Sequence, residues 1–322
     1  MKLQERERSI KMSLPNTSSN TLVKRKKAKS SFGGSEISML VIALPFLILF
    51  FLMTILPIMA SLFLSFCSYD MLSAPKFVGL DNFLRMFVTD DMFGTVATNT
   101  LILAVATAPG GFLLSYVLAW FINEFNPAVR SFLSFLFYAP ALVGNAYFIW
   151  QTAFSADSYG YVNSLLLSVG ILNEPVQWLR DPDYILPIII AVTLWSSMGV
   201  SFLADIAGLQ SINVSLFEAG AIDGVRNRWQ ELWYITLPSM KEILLFGAVM
   251  QIASSFSIGA VVTTMCGYPT VNNCADTIVM YLQDIANTRM EMGYAAAISI
   301  FLFLMMAVFR TLVSKLLEGT GK

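Results

Sequence analysis

The chain has 322 residues, of which 56% are hydrophobic and only 13% are charged, and its mean hydropathy is +0.67. Soluble domains carry about 25% charged residues, so this composition excludes an ordinary soluble domain and predicts an integral membrane protein. The net charge of -1 favours no nucleic-acid partner, and a chain with no histidine and no CxxC pair is predicted to hold neither a metal nor a cofactor.

The first 38 residues are polar and basic, with a cluster of Lys and Arg at residues 24–29. The apolar run after them exceeds the roughly 7–15 residues of a signal-peptide core, so we predict a retained first membrane helix. Residues 1–38 are then a basic cytosolic tail, residues 39–316 a membrane domain, and residues 317–322 a cytosolic end.

Six stretches are long and apolar enough to cross a membrane, which takes about 20 residues. These predicted spans are Met39–Phe66, Thr98–Asn123, Ser131–Ser155, Tyr184–Ala204, Ile243–Thr264 and Met292–Leu312. A shorter apolar segment, Tyr161–Leu172, is predicted to be an interfacial helix. The chain is therefore predicted to be an all-α membrane protein with six transmembrane helices.

Lys and Arg are distributed unevenly between the two sides of these helices. With the N-terminus inside, the inner side holds sixteen of them, nine in the tail and seven beyond it, and the outer side holds four. Because cytosolic segments carry the excess of basic residues, both termini and the loop at residues 208–241 are predicted to be cytosolic.

The predicted spans contain almost no Asp, Glu, Lys or Arg, and Asp205, near the cytosolic end of the fourth, comes closest. Ion pumps and proton-coupled carriers need ionisable groups at membrane depth, so a proton-driven carrier or a cation channel is disfavoured. A membrane-embedded enzyme is disfavoured for the same reason. The composition fits a path for a neutral, hydroxyl-rich solute.

The loop at residues 208–241 is predicted to form two short helices. Ser215 and Glu218 have the spacing of a capping box at the start of the first, and Gly224 suits the left-handed stop after its end. Asn227 is a predicted cap of the second helix, and Gln230 is predicted to reach back to that start.

The second helix is predicted to carry Trp229 and Trp233 on one face and to end at Leu237-Pro238, because a residue before proline avoids the α conformation. A helix–turn–helix outside the membrane suggests that a partner docks on it. The alternative is that Glu218 is only a cap and that the tryptophans form an interfacial belt.

The loop resembles the coupling motif of permease subunits in binding-protein-dependent ABC importers. That motif runs Glu-Ala-Ala, three residues, Gly, nine residues, then Ile, any residue and Leu-Pro. The matching residues here are Glu218-Ala219, Gly224 and Ile235-Thr236-Leu237-Pro238, with Ile222-Asp223-Gly224 and Arg228-Trp229-Gln230 resembling the carbohydrate branch. Residues 77–83, 159–163 and 292–296 also resemble segments of sugar permeases.

Two positions depart from the motif. Gly220 replaces the second Ala, at a cost of about 1 kcal/mol in helix propensity. Ten residues rather than nine separate Gly224 from Ile235, and we predict that the extra one falls in the turn at Arg226-Asn227.

The resemblance implies the type I ABC importer permease fold, in which the cytosolic loop is a mechanical link to an ATPase. The implied ATPase-coupling residues are Glu218, Ala219, Gly220, Asp223, Gly224, Trp229, Leu237 and Pro238. The chain itself has no Walker GxxxxGK[ST] motif. It is therefore not expected to be an enzyme, and ATP and Mg are expected on the partner ATPase.

The resemblance also implies a dimer of ATPase subunits, a second permease subunit that we expect to be a different chain, an extracytoplasmic solute-binding lipoprotein and membrane lipid as partners. The solute is then a sugar or an oligosaccharide. The alternatives are a non-sugar solute such as glycerol phosphate, in the same architecture, or an ATP-independent secondary carrier.

A sugar path needs polar, uncharged and aromatic side chains, and the spans near the loop supply them. The predicted path residues are Asn145, Tyr147, Trp195, Ser197, Gln251, Ser254 and Ser255. The alternative is that these groups hydrogen-bond between helices. Cys266 and Cys274 lie in one predicted external loop, where either a disulfide or two free thiols are possible.

Overall fold

The computed structural model describes residues 34–143 and 146–319 of the chain. Most of the basic tail, Asn145 and the last three residues lie outside the described residues. Within the described part the chain divides after Leu56 into two compact units. The boundaries inferred from the sequence, after residues 38 and 316, stay predictions.

The first unit is helical throughout its described part. Helix α1 covers Gly34–Phe50 and is followed by a π turn at Phe51–Ile55. From Val41 onwards its side chains are exposed, with Ile42 at 80% and Phe46 at 69%. An apolar surface of this extent marks a membrane or protein contact, as expected for the first span.

The second unit contains the remaining helices and two short strands. The helices are α2 Leu56–Leu64, α3 Asp81–Leu84, α4 Asp91–Asn123, α5 Pro127–Leu142, α6 Tyr147–Ala153, α7 Tyr161–Ser168, α8 Pro182–Ser196, α9 Val200–Ser211, α10 Val214–Ile222, α11 Arg228–Glu231, α12 Leu237–Ser239, α13 Lys241–Phe256, α14 Gly259–Cys266, α15 Ile278–Gln283 and α16 Met292–Gly319. Strands β1 (Cys67–Ser68) and β2 (Lys76–Phe77) pair antiparallel. Further π turns occur at Arg85–Thr89, Leu232–Thr236 and Asp284–Thr288.

By length and composition, three helical stretches qualify as membrane spans: Val41–Leu64, Asp91–Asn123 and Met292–Lys315. The number rises to six if each of three bent helix pairs is one span. The described part of the chain thus has three to six candidate spans. The predicted fifth span, Ile243–Thr264, is not one helix, because it is broken between Phe256 and Gly259 into α13 and α14.

Helix α4 lies at the centre of the second unit and packs against α8, α9 and α13. If lipid surrounds these helices, close van der Waals packing rather than the hydrophobic effect holds them together. Gly111 allows a close approach of α4 to its neighbours. A Cβ added there would lie 3.0 Å from the Ser197 Cβ and 3.1 Å from the Gln251 Nε2.

Each family-like segment outside the loop has a folding role. The buried Asn82 donates from its Nδ2 to the carbonyl oxygens of Ser65 (2.8 Å) and Cys67 (2.9 Å). Gly293 packs its backbone directly against the Cys67 carbonyl, where no side chain fits. The fully buried Asn163 accepts hydrogen bonds from the Trp178 indole and a backbone amide.

The N-terminal end of α4 is fixed by the half-buried Asp90. Its Oδ2 accepts hydrogen bonds from the hydroxyls of Tyr281 (2.6 Å) and Tyr294 (2.5 Å), and its Oδ1 caps the helix. Arg85 lies 4.2 Å over the Tyr294 ring and pairs with Glu291. Burial by itself raises the pKa of Asp90, but the tyrosine hydrogen bonds and the nearby Arg85 outweigh it, so the pKa is lowered.

Candidate solute cavity and coupling loop

A cavity of about 400 Å³ opens beside α4, at the break between α8 and α9. Its wall also includes parts of α5, α6, α13 and α14. The break exists because α8 ends at Ser196 and α9 begins at Val200, and the two helices are bent by 42°. A broken helix at membrane depth is tolerated where it lines a cavity or is buried in protein.

Five of the seven predicted path residues line this cavity: Tyr147, Ser197, Gln251, Ser254 and Ser255. Trp195 does not. Its ring packs instead against Trp150, with centroids 5.3 Å apart. Asn145 lies outside the described residues.

Several of the lining groups also bond to the protein. Gln251 Nε2 donates to the Ser197 carbonyl oxygen at 3.1 Å, which ties α13 to the break between α8 and α9. The Ser197 and Ser255 hydroxyls donate to carbonyls within their own turns, at 2.6 and 2.8 Å. The hydroxyl oxygens keep lone pairs that accept hydrogen bonds from a solute.

The loop at residues 208–241, called the coupling loop after the motif it resembles, has α10 as its first short helix, and the cap of this helix differs from the prediction. Asn213 is the N-cap, and its side chain accepts from the Ser215 amide at 3.0 Å. Ser215 therefore lies inside the helix, so the capping box with Glu218 is wrong. Among the described residues the Glu218 side chain has no hydrogen bond or ion pair, and it is exposed.

The predicted stop at Gly224 is confirmed. This residue has φ +94°, and the Val225 amide donates to the Gly220 carbonyl oxygen at 2.9 Å. The Gly224 amide donates to Ala221 at 3.4 Å. These two bonds make a Schellman ending, which needs a residue with positive φ.

The predicted cap of the second helix is also confirmed. Asn227 Oδ1 accepts from the Gln230 amide at 2.8 Å, while Gln230 Oε1 reaches back to the Arg226 amide at 2.8 Å. The predicted end at Leu237-Pro238 is wrong, because the helical path continues to Ser239. Leu237 has helical angles, φ -58° and ψ -46°.

The π turn at Leu232–Thr236 explains how the chain stays helical at this proline. The Leu237 amide donates to the Leu232 carbonyl, five residues back. A π turn holds one residue more per hydrogen-bonded ring than an α turn. It is therefore a better place for the tenth residue of the motif spacing than the turn at Arg226-Asn227.

Gly220 has a packing role that the motif comparison missed. It is buried, and a Cβ added there would lie 2.6 Å from the Ile235 Cδ1. Ile235 is itself 9% exposed. The glycine therefore makes room for Ile235 to pack the second helix against the first.

The comparisons with known proteins agree with this architecture. No family model matches the chain. It is 34% identical, over 79% of its length, to the probable ABC transporter permease protein YesP of Bacillus subtilis, and the match covers 82% of that protein. It is 31% identical to the lactose transport system permease protein LacF of Rhizobium radiobacter, over 72% of this chain and 78% of that one.

This chain is a member of the carbohydrate-uptake family of ABC transporter permeases. The permease also has the fold of a chain in the crystal structure of a bacterial ABC transporter involved in the import of the acidic polysaccharide alginate. The TM-score is 0.75 at 24% identity, over 89% of this chain and 97% of that chain.

The permease exposes most of its coupling motif. Glu218, Ala219, Asp223, Trp229 and Pro238 are exposed and Leu237 is half-buried. Apolar side chains beside them are exposed as well: Ile222 at 87%, Trp233 at 63% and Tyr234 at 73%. A polar loop with this much exposed apolar surface has the composition of a protein-binding surface.

The cavity of the permease contains further polar groups that the sequence did not single out, namely Thr107, Tyr138 and Thr193. Each is a polar or amphipathic residue in an apolar helix, and this feature of the sequence could have predicted them. Within residues 34–143 and 146–319, none of the residues that line the cavity is Asp, Glu, Lys or Arg. Asp205 is fully buried elsewhere, where its Oδ2 accepts from the Ser115 hydroxyl at 3.1 Å.

Proposed function

We propose that this permease forms half of the membrane path of an ATP-driven, binding-protein-dependent importer for a neutral sugar or oligosaccharide. The observation that carries the proposal is the uncharged cavity. Its hydroxyls and the Gln251 amide match the hydroxyls of a sugar, and its wall includes the aromatic side chains Tyr138 and Tyr147 for contact with the apolar side of a sugar. Its volume of about 400 Å³ lies in the range of ligand pockets.

The relatives support a carbohydrate. They include a lactose transport system permease and an arabinooligosaccharides transport system permease. A glycerol phosphate path would favour Arg or Lys near the phosphate, and no such side chain is among those lining the cavity. The alginate importer carries an acidic polysaccharide, so a shared fold does not imply a shared solute.

Transport requires six membrane-crossing segments in this proposal, in which α5 with α6, α8 with α9, and α13 with α14 each cross once, and the loop helix at Arg228–Ser239 stays outside the membrane. The coupling loop fits into an ATPase subunit on the cytosolic side, with the segment from Glu218 to Gly224, at the end of α10, as the inserted part. ATP and Mg bind to that subunit, so the permease performs no chemistry itself. Alternation between outward-open and inward-open states follows from movement of the loop.

The further partners are a second permease subunit, which we expect to be a different chain, and an extracytoplasmic binding lipoprotein. A solved complex of the alginate transporter with an alginate pentasaccharide-bound periplasmic protein provides the precedent for the latter. The bias of sixteen inner against four outer Lys and Arg supports a cytosolic N- and C-terminus in the bacterial cytoplasmic membrane.

The deciding experiment is to purify the tagged permease from its own membrane in mild detergent and to identify what accompanies it. We expect an ATPase with a Walker motif, a second permease and a binding protein, which is then screened against neutral and acidic sugars. Permease recovered alone, in a preparation that transports a sugar into vesicles without ATP, would show that it is a secondary carrier.

A variant tests whether the coupling loop links the permease to the ATPase. Glu218→Lys is expected to abolish ATP-dependent uptake in the reconstituted complex while the permease stays in the membrane. Ser168→Lys, an exposed change in α7, is the control and is expected to transport normally. Normal uptake by Glu218→Lys would refute the coupling role.

A further inference from the structure

Arg228, the first residue of α11, joins the coupling loop to the C-terminal end of α4. Its Nη2 lies 2.8 Å from the Glu124 Oε2, and its Nη1 lies 2.8 Å from the Glu231 Oε2. Glu124 immediately follows α4, whereas Glu231 belongs to α11 itself. One guanidinium group therefore makes one contact between two elements and one contact within its own helix.

A second contact connects the same two elements. The rings of Trp120 and Trp229 lie 5.4 Å apart between centroids, with their planes inclined at 47°. Each tryptophan is close in sequence to a member of the ion pair, Trp120 to Glu124 and Trp229 to Arg228. Trp120, Glu124 and Arg228 line a cleft of about 520 Å³, whose wall also includes Arg130.

Helix α4 continues from this junction to the solute cavity. Thr107 lines the cavity and Gly111 packs against Ser197 and Gln251. The helix is continuous to Asn123, so at 1.5 Å per residue Thr107 is roughly 25 Å from Glu124 along its axis. A displacement of the C-terminal end of α4 thus reaches the cavity wall through one helix.

We propose that Arg228 is a positioning residue that transmits movement of the coupling loop to α4 through Glu124. This inference rests on the proposed function, in which an ATPase moves the loop. The exposed surface of the loop, with Glu218 and Ile222, contacts the ATPase. At the start of α11, Arg228 contacts Glu124 and Trp229 contacts Trp120 of α4, although both side chains are also exposed.

The pair is suited to experiment because it is exposed. The side chains of Arg228 and Glu124 are 63% and 39% exposed. An exposed ion pair changes the folding equilibrium by about fivefold at most. Variants with a neutral residue in the pair are therefore expected to fold and assemble. Glu231 supplies a matched control, because it contacts the same guanidinium group at the same distance without leaving α11.

The test measures movement at the cavity rather than uptake of an unidentified solute. A cysteine is introduced at Ala260, an exposed residue of the cavity wall, in the assembled transporter with its co-purified binding protein. Its rate of labelling by a membrane-impermeant maleimide is measured with and without Mg-ATP. The parent chain, labelled in parallel, corrects for its three native cysteines.

We expect ATP to change the labelling rate in the otherwise wild-type chain. Arg228→Gln and Glu124→Gln are expected to reduce that change about two- to fivefold, and the double variant is expected to be no worse than either. Glu231→Gln is expected to respond to ATP like the wild type. Equal amounts of ATPase in each preparation show that assembly is unaffected.

Two results would overturn the role of Arg228: a full response to ATP in Arg228→Gln or Glu124→Gln, or an equal loss in Glu231→Gln and Glu124→Gln. A wild-type chain whose labelling does not depend on ATP contradicts the proposed function itself, and this role with it. The wild-type response therefore separates failure of the function from failure of the inference.

Discussion

At its N-terminal end α4 is fixed by a half-buried carboxylate, whereas at its C-terminal end it is linked to the coupling loop by exposed charges. Asp90 accepts hydrogen bonds from two tyrosines that come from two other helices. Glu124 forms an ion pair with Arg228, whose side chain is 63% exposed. The same chemistry of Arg, carboxylate and aromatic ring thus gives a firm attachment at one end and an adjustable one at the other.

The largest effect is expected where the loop itself is distorted. Gly224 has φ +94° with open space around it, and a β-branched residue is strongly disfavoured there. Gly224→Val is expected to abolish ATP-dependent uptake. Gly170→Val, with φ +75° and open space outside the loop, carries the same strain. It is expected to retain uptake, and equal loss in both variants would show that strain alone is responsible.

The comparison of the two ends of α4 predicts unequal losses of stability. Asp90→Asn removes the charged carboxylate that accepts hydrogen bonds from two tyrosine hydroxyls. Hydrogen bonds to charged groups contribute about 1.5–3 kcal/mol each to stability. Glu124→Gln is expected to cost at most about 1 kcal/mol, because its partner is exposed. Thermal unfolding of the detergent-purified permease measures both, and equal losses would contradict the distinction.

The N-terminal attachment is also expected to depend on pH. The pKa of Asp90 is lowered from its ordinary value of 3.8, so the unfolded chain binds this proton at a higher pH than the folded chain. The stability that ionised Asp90 contributes is present above pH 3.8. It is lost as the pH falls through the lower pKa that Asp90 has in the folded chain. Unfolding temperatures below pH 4 should therefore fall more steeply in wild type than in Asp90→Asn.

A smaller effect is expected where the two loop helices meet. Gly220→Ala gains about 1 kcal/mol in helix propensity but places a methyl group against Ile235, and overpacking costs about 1–3 kcal/mol. The single variant is expected to be less stable than wild type. In an Ile235→Val background, which removes the contacted Cδ1, the same change is expected to stabilise. Stabilisation in both backgrounds would show that the close contact is not limiting.

The smallest effect concerns salt. The screening length falls from about 10 Å at 0.1 M to about 3 Å at 1 M, so salt weakens the exposed Arg228–Glu124 pair. Raising the salt concentration is expected to lower the ATP response of the cavity cysteine in the wild type toward that of Arg228→Gln. The variant is expected to change little. Equal sensitivity in both would assign the salt effect to another contact.

Local features of the loop were predictable from the sequence, but the choice between neighbouring candidates was not. Gly224 and Asn227 were found because each acts on residues within a few positions. Ser215 was mistaken for the cap because Asn213, two residues earlier, is an equally good capping residue. The continuation through Pro238 was missed because it depends on the π turn at Leu232–Thr236.

Contacts between distant segments were beyond the sequence. Five of the predicted residues line the cavity because polar groups in apolar helices turn away from lipid, but the direction of Trp195 depends on where α8 breaks. The space for Ile235 over Gly220 and the contact of Arg228 with Glu124 both join residues far apart in the chain. Such pairs become visible only when the helices are placed side by side.

The unequal attachment of α4 gives it the properties of a lever. Its 33 residues extend roughly 50 Å, with the fulcrum at Asp90 and the applied force at Glu124. Thr107 lies about midway along this arm. In the proposed importer, rotation about the fulcrum moves the cavity wall about half as far as the coupling loop. The position of the cavity along α4 would then set how far the path widens for a given movement of the ATPase.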